Sequence, residues 1–405
     1  MKYLSVILRS ASASLILILS LLSTPPTASA AGITVTENTA DHKFAQHITF
    51  TLRAASGAKI TSAYLFFRVA GDEQTQAIEV AIEPDREIEI HHVHELRHFP
   101  IPPFAQIDFW WLIKDKAGDE LTTARKQIEY TDTRFQWQKI GDDSLSVHWI
   151  EGHGDPAFGQ AALDIAQISL KESSAELQAP LPESITIYIY DAQHNLDAAM
   201  MLTGREWVVG QAHPELGVVI TAIPYKDGYS SRMARYIPHE ITHLLVYQAV
   251  TPEGYRYVPE WLDEGLATAN ERLPTPEFTM ALEEANASDQ FLSLADMCVP
   301  FSPDAYTRRL AYAQSGSVVN FIRDRYGAKK IRALLAAYAG GASCASGVQD
   351  TLNISLSGLE TAWRASLEPQ SPWRAWANQV GVWVGLWLLS LLTAGPMIGK
   401  PQRRD

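Results

Sequence analysis

The spacing of hydrophobic residues changes near residue 140 and predicts two regions of different structure. Between residues 32 and 133, apolar and polar residues alternate in 48–52 and 87–90, and the run 107–111 is rich in aromatic side chains. Alternation with a period of two indicates strands with one buried face, and turn residues separate these runs at intervals typical of a sandwich. We therefore expect an N-terminal all-β sandwich domain over residues 32–133.

The second region, residues 140–368, has the pattern of an α+β domain. Residues 156–177 repeat apolar positions with helical spacing, whereas 185–190 alternate isoleucine with threonine or tyrosine, as in a strand. After Tyr229 the pattern is almost entirely helical. The helices predicted there are 231–250, 262–271, 276–286, 309–325, 328–338 and 356–367.

Both ends of the chain carry segments typical of export and membrane anchoring. Residues 1–30 combine early positive charge, a short apolar core and a small-residue cleavage site, the pattern of a signal peptide. Residues 375–399 carry no charge and would rise about 37 Å as a transmembrane helix. With the basic cytoplasmic tail 400–405, they predict a single-pass type I protein of the cell membrane with an extracytoplasmic body. The alternatives are an uncleaved N-terminal anchor and a buried amphipathic tail.

The net charge limits which partners the protein can bind, and the two cysteines bear on whether it contains a disulfide bond. The formal net charge is −13, which argues against nucleic acid and anionic lipid surfaces as partners. The sequence has two cysteines, Cys298 and Cys344. In an exported protein such a pair more often forms one disulfide than two free thiols, and its spacing resembles no zinc-binding pair.

The sequence His-Glu-x-x-His occurs twice, at 94–98 and at 239–243. On a helix, the two histidines of this motif project from one face and can both reach one zinc ion at about 2.1 Å. The glutamate between them can then contact a metal-bound water. The first copy lies between predicted strands, and Pro100, Pro102 and Pro103 follow it, so a helix cannot continue there. We expect its histidines to be exposed loop residues.

The second copy meets the requirements of the chemistry. It lies in the predicted helix that runs through Val250, and Glu264 follows His243 by 21 residues. Pro259 opens a further helix around Glu264, and Gly265 leaves room there for another backbone. A third metal ligand must come from outside the motif, and this helix can supply it. The alternative is an accidental match on a core helix.

At these residues the sequence resembles the gluzincin superfamily of zinc metallopeptidases, and more closely the bacterial, exported peptidase-MA-like family. The resemblance is carried by the motif at 239–243 and by Pro259-x-Trp261-Leu262-x-Glu264-Gly265-Leu266-Ala267. Weaker matches follow at 311–315, 326–327 and 359–363. The resemblance covers about residues 140–368 and implies an α+β, thermolysin-like peptidase domain.

Residue by residue, the resemblance implies one Zn²⁺ held by His239, His243 and Glu264, with Glu240 as the general base. Pro238, immediately before the first ligand, departs from a regular helix. Inside a helix a proline removes a backbone hydrogen bond and causes a kink, whereas in the first turn it is tolerated. Either the residues before Pro238 form a separate turn, or the helix bends just before the metal.

The resemblance also implies an oxyanion-stabilising residue and a substrate-binding strand. Gluzincins place a tyrosine or histidine from a later helix against the developing oxyanion, and Tyr312 is our candidate, with Tyr306 second. The alternative for Tyr312 is a tyrosine that only packs in its helix. Gluzincins also bind the substrate backbone along an edge strand beside the metal. The segments that could do so here are Trp207, Val208, Val209 and Gly210, and residues 218–220.

These features together predict a zinc-dependent peptidase that hydrolyses peptide bonds of a peptide or protein substrate outside the cytoplasm. Glu240 would accept the proton of the zinc-bound water. The alternative is a non-catalytic surface interaction or adhesion module that retains a relic zinc-peptidase fold. Glu240 argues against this alternative, because metal binding alone does not need it. A third possibility is hydrolysis of another amide, for instance in cell-wall material, which no sequence feature separates from peptide hydrolysis.

Overall fold

The structure, a computed structural model, describes residues 32–200 and 210–367. Its first part is all-β, as predicted, and seven strands form one sheet there. They are β1 (Thr34–Lys43), β2 (His47–Val69), β3 (Gln76–Val80), β4 (Asp85–Glu95), β5 (Gln106–Asp115), β6 (Glu120–Thr122) and β7 (Lys126–Glu129).

This sheet folds on itself along β2. The first half of β2, up to Ala55, pairs with β1 and β4, whereas the second half, from Ile60, pairs with β3 and β5. The two halves face each other, since Phe50 stacks on Phe67 with ring centroids 5.4 Å apart and also contacts Phe109. The predicted sandwich is therefore one continuous sheet, because a single strand of 23 residues crosses both layers.

A second sheet of five strands follows, in the order β11-β12-β10-β9-β8. The central strands β9, β10 and β12 run parallel, and β8 and β11 pair antiparallel at the two edges. One side of the β11 backbone therefore has no partner strand among the described residues. The strands are β8 (Trp137–Gly141), β9 (Leu145–Ile150), β10 (Ile185–Tyr190), β11 (Gly210–His213) and β12 (Val218–Ala222).

The two faces of the second sheet pack against different partners. Ile187 and Ile189 belong to the core that the sheet shares with the helices. Tyr188 and Tyr190 point to the opposite face and belong to the core of the first sheet. There the Tyr190 hydroxyl donates a hydrogen bond of 2.8 Å to Asp132. The alternation that predicts the strand thus also joins the two regions of the chain.

The described residues form ten helices, and every helix predicted after Tyr229 is present with its ends within four residues. Three of these helices, α2, α4 and α9 in the order given below, were not predicted. The helices are α1 (Pro156–Leu177), α2 (Gln193–Met200), α3 (Tyr229–Val250), α4 (Pro252–Tyr255), α5 (Glu260–Ala269), α6 (Pro276–Ser288), α7 (Ala305–Tyr326), α8 (Ala328–Ala339), α9 (Cys344–Leu352) and α10 (Leu356–Leu367).

Within residues 32–200 and 210–367, no helix combines the length and the apolar character that crossing a bilayer requires. The predicted signal peptide, residues 1–30, lies outside the described residues, and so do the predicted transmembrane helix 375–399 and the tail 400–405.

Candidate metal centre

The second His-Glu-x-x-His motif lies in the middle of α3, which continues without a break through Pro238. His239 and His243 lie one turn apart on one face, with ring centroids 5.1 Å apart. Pro238 has no N–H to donate to the carbonyl of Ala234, four residues earlier. That carbonyl instead accepts a hydrogen bond of 2.8 Å from the backbone N–H of Arg272. Neither a separate turn nor a helix end is needed to place His239.

Helix α5 brings Glu264 to the two histidines. The Glu264 Oε2 atom lies 3.2 Å from His239 Nε2 and 3.5 Å from His243 Nε2. Helix α7 packs closely behind α5 at this point. A Cβ atom added to Gly265 would lie 2.7 Å from the backbone oxygen of Ser315, so the close approach of the two helices requires glycine here.

These three side chains form a donor set that fits a metal ion. One nitrogen or oxygen atom from each of His239, His243 and Glu264 lies within 4.8 Å of the others. The buried Glu264 Oε2 accepts no hydrogen bond of good geometry from the described residues, although the two imidazole nitrogens lie 3.2 and 3.5 Å away. Two imidazoles and one carboxylate, with an open fourth position, are the ligands that catalytic zinc sites use. The residues present therefore fit a zinc ion.

Two acidic residues that the sequence analysis missed hold the histidines in orientation. Asp263 Oδ1 lies 3.2 Å from His243 Nδ1, and Glu271 Oε1 lies 3.4 Å from His239 Nδ1. Such carboxylates fix the ring orientation and direct Nε2 toward a metal. The sequence carries no clear signal for them, because Asp263 is simply the neighbour of Glu264 and Glu271 lies two residues beyond the end of α5.

Charges inside the centre shift the pKa values of its members. Burial alone would lower the pKa of His239, but the carboxylates of Glu264 and Glu271 raise it to about 10. Burial would likewise raise the pKa of Glu264, yet His243 and His239 hold it well below its usual range. Without a metal the centre therefore retains protons on its histidines, and a metal ion must compete with those protons.

Glu240 lies beside the three ligands and next to the edge strand. Burial raises the pKa of this carboxyl, and the charges of His239 and His243 oppose the shift, as does a hydrogen bond donated by the backbone N–H of Ala212. A Cβ atom added to Gly210 would lie 2.5 Å from Glu240 Oε1. The start of β11 therefore passes against the carboxylate, and Gly210, one of the predicted substrate-binding residues, is at that contact. The others, Trp207, Val208 and Val209, lie outside the described residues.

Tyr312 on α7 also reaches the centre. Its hydroxyl donates a hydrogen bond of 3.3 Å to Glu264 Oε1, and its ring lies 6.1 Å from that of His239. Burial and the charge of Glu264 raise the pKa of Tyr312 well above its usual value, so the phenol stays protonated. Tyr306, the second candidate, is 43% exposed at the start of α7.

The first His-Glu-x-x-His copy is not helical, as expected, but the expectation of exposed loop histidines is wrong for His94. His94 lies on strand β4, and its ring packs edge-on against Phe67 and Phe99, with centroids 4.8 and 5.8 Å away. Alternation along the strand turns His94 to the buried face. His98, in contrast, is exposed after the strand has ended.

Cys298 and Cys344 form a disulfide bond, and the described residues contain no free cysteine. The bond joins the short 3₁₀ turn Asp296–Cys298 to the first residue of α9. Phe301, three residues after Cys298, packs edge-on against Tyr312 with centroids 5.4 Å apart. The disulfide therefore tethers a segment that lies against the metal centre.

Comparison with known families gives one match. A sequence model of the Peptidase MA superfamily matches residues 164–369, which is half of the chain. The chain belongs to the Peptidase MA superfamily. The predicted family resemblance is confirmed, and the match spans α3, α5 and α7, which hold the metal centre. No curated protein sequence matches the chain.

Solved structures similar to this member of the Peptidase MA superfamily include two bacterial proteins. An M1 zinc metallopeptidase from Deinococcus radiodurans is 13% identical, with 82% of this chain and 94% of that chain covered and a TM-score of 0.36. An aminopeptidase N family protein from Idiomarina loihiensis is 9% identical, with 79% and 74% covered and a TM-score of 0.41. These TM-scores do not establish a shared fold, and the family assignment rests on the sequence.

Proposed function

We propose that this protein is a zinc-dependent peptidase that hydrolyses peptide bonds outside the cytoplasm, with Glu240 as its general base. The observation that carries the proposal is that the side chains around α3 fall into two groups, three candidate metal ligands and one separate carboxylate. His239, His243 and Glu264 converge on one point, while Glu240 lies beside them, buried and held by the edge strand. A site that only bound metal would not need this fourth group.

A bound zinc ion would supply Lewis-acid chemistry and lower the pKa of a water molecule to about 7. Glu240 is placed to accept a proton from the attacking water and to pass it to the leaving amine. In the metal-free centre burial raises the pKa of Glu240, the direction that favours a group that must both accept and return a proton. The protonated Tyr312 hydroxyl can donate to the oxyanion that forms on the substrate carbonyl.

The edge strand β11 supports a peptide as the substrate. Its outer side has no partner strand among the described residues, and Gly210 brings its backbone against the Glu240 carboxylate. An extended peptide can add to such an edge through main-chain hydrogen bonds, which would place its own carbonyl groups along the metal centre.

An extracytoplasmic, membrane-anchored location is part of the proposal. The disulfide between Cys298 and Cys344 supports an oxidising compartment. The apolar stretch 375–399, followed by basic residues, supports anchoring by one C-terminal span. A tag placed after Asp405 should be protected from outside in intact cells, and accessibility of that tag from outside would contradict this topology.

The decisive test of catalysis is a cleavage assay with metal analysis of the same samples. The zinc-loaded protein should cleave members of a mixed peptide library, and Glu240→Gln should keep its zinc and lose cleavage. Cleavage by the variant at the wild-type rate would assign the activity to another site or a contaminant. Zinc binding without any cleavage by the wild type would favour the non-catalytic interaction module.

A further inference from the structure

Arg235 lies on α3 one helical turn before His239. Residues four apart on a helix share a face, so Arg235, His239 and His243 follow one another along the same side of α3. The rise from Arg235 to His239 is about 6 Å, which about two residues of an extended peptide span. Arg235 therefore lies on the face of α3 that carries the two histidines of the metal centre.

The chain around Arg235 encloses part of the side chain. The segment that follows α5 packs against α3 at this level, because the Arg272 N–H bonds to the carbonyl of Ala234. Arg235 is half-buried, and its Nε atom is fully shielded from solvent. The base of the guanidinium is thus shielded by the surrounding chain rather than extended into water.

Arg235 makes no hydrogen bond or ion pair with the part of the chain that the structure describes, and its buried Nε has no acceptor. Every other half-buried arginine there has a carboxylate or a carbonyl as partner. These are Arg68, Arg232, Arg308, Arg323, Arg332 and Arg364. Because an unpaired buried donor is unfavourable, this exception needs an explanation.

The carboxylate of Glu271, which lies beside this part of α3, is engaged elsewhere. Glu271 faces His239 with Oε1 and accepts a hydrogen bond of 2.9 Å from the Thr275 hydroxyl at Oε2. Arg232, on the same face of α3, donates only a bond of 3.5 Å to the carbonyl of Asp227. The chain has 46 acidic residues against 33 basic ones, and still none of the described acids pairs with Arg235. Arg235 therefore carries a positive charge that no described carboxylate pairs with directly.

We propose that Arg235 is a specificity residue that binds a carboxylate of the substrate, about two residues from the scissile bond. The inference rests on the proposed peptidase function and names the substrate class, which is peptides with an acidic side chain or a free C-terminus at that position. A guanidinium can donate two parallel hydrogen bonds to a carboxylate. A neutral group at the same place leaves the guanidinium unpaired, which is the basis of the discrimination.

Binding without turnover tests this inference separately from catalysis. The probes are short peptide hydroxamates, in which the hydroxamate occupies the metal and a glutamate two residues away is present or replaced by glutamine. A second pair has a free or an amidated C-terminus at that position. The zinc-loaded full chain should bind one acid about 10- to 100-fold more tightly than its amide, as expected for a hydrogen bond to a charged group. The pair that shows the preference identifies the source of the carboxylate.

Variants then assign the preference to Arg235. Arg235→Gln should keep its zinc and bind acid and amide about equally, whereas Arg235→Glu should prefer a lysine at that position. Arg97→Gln, which changes an exposed arginine of the first sheet, is the matched control and should keep the acid preference.

Equal binding of acid and amide by the wild type, or no binding of any probe, would overturn the inference. An acid preference that survives in Arg235→Gln would also overturn it. Acid-selective binding that Arg235→Gln abolishes, together with no peptide cleavage, would leave the role of Arg235 standing and contradict the hydrolytic function instead.

Discussion

The backbone N–H of Arg272 lies 2.8 Å from the carbonyl oxygen of Ala234, the acceptor that Pro238 leaves without its helical donor. The bond satisfies this carbonyl, and it also joins the segment after α5 to the helix that carries both histidines. The Pro238 carbonyl in turn accepts a bond of 2.8 Å from the Thr242 hydroxyl. The proline therefore sits within a local network in which α3 and the Glu264 helix are coupled.

This network predicts a small effect of Pro238→Ala on stability. In an ordinary helix interior, replacing proline by alanine gains about 3 kcal/mol. Here the orphaned carbonyl already has a donor, so we expect a gain below about 1 kcal/mol and unchanged zinc content. Urea unfolding of the zinc-loaded protein measures the gain, with Pro276→Ala in the first turn of α6 as the control. A gain near 3 kcal/mol would mean that the Arg272 bond does not compensate for the proline.

The metal centre predicts which histidines a metal needs. His243→Ala and Glu264→Ala should each lose the bound zinc, because each removes one of three converging ligands. His94→Ala, in the first copy of the motif, should keep one zinc per chain, since His94 packs between aromatic rings in a strand. Elemental analysis of the purified proteins measures this. Full zinc content in Glu264→Ala would contradict the ligand assignment.

The three candidate ligands of this centre could be predicted from the sequence. The two carboxylates that orient the histidines could not. The spacing of His239, His243 and Glu264 identifies them as candidate ligands, because helical geometry and ligand chemistry constrain it directly. Asp263 and Glu271 also lie on the sequence near Glu264, but their contacts with the histidines depend on how α5 packs against α3. Surface helices are rich in acidic residues, so sequence alone gives no reason to select these two.

For the strands, too, the sequence predicts the element but not what it packs against. Alternation in residues 185–190 predicts a strand, but it does not reveal that its tyrosine face would bury against another sheet. Period-two alternation also occurs in 48–52, yet the pattern does not show that this run belongs to a single long strand crossing both layers. Helix α9 was missed because Cys344–Leu352 contains serine, glycine and threonine, all weak helix formers. Each of these features depends on contacts with residues that are distant in the sequence.

His148 predicts how stability depends on pH. Burial, and then the charge of Lys139, lowers the pKa of His148 to about 4, against about 6.5 in an unfolded chain. Between these values the unfolded chain binds a proton that the folded chain excludes. The stability contribution is therefore complete above about pH 6.5 and is lost as the pH falls toward 4.

We expect the metal-free wild type to lose more thermal stability between pH 7.5 and 5 than His148→Gln does. His92 and His94, whose pKa values burial also lowers, contribute a similar slope that both proteins share. Melting temperatures in a chelating buffer measure the difference, and His98→Gln, at an exposed position, should behave as the wild type. Equal losses in the wild type and His148→Gln would contradict the assignment.

Tyr312 and Glu240 should differ in how much catalysis each supports. The Tyr312 hydroxyl is protonated and lies 3.3 Å from Glu264 Oε1, so it can donate to an oxyanion beside the metal, and losing one such donor costs about 10²–10³ in kcat. Glu240 moves the proton itself, so Glu240→Gln should lose at least about 10²–10⁴. Neither is a metal ligand, and both Tyr312→Phe and Glu240→Gln should keep full zinc content. Tyr306→Phe is the control. Because Tyr306 is exposed, this variant should cleave peptides at the wild-type rate. A large loss in Tyr306→Phe with normal cleavage by Tyr312→Phe would move the oxyanion role to the start of α7.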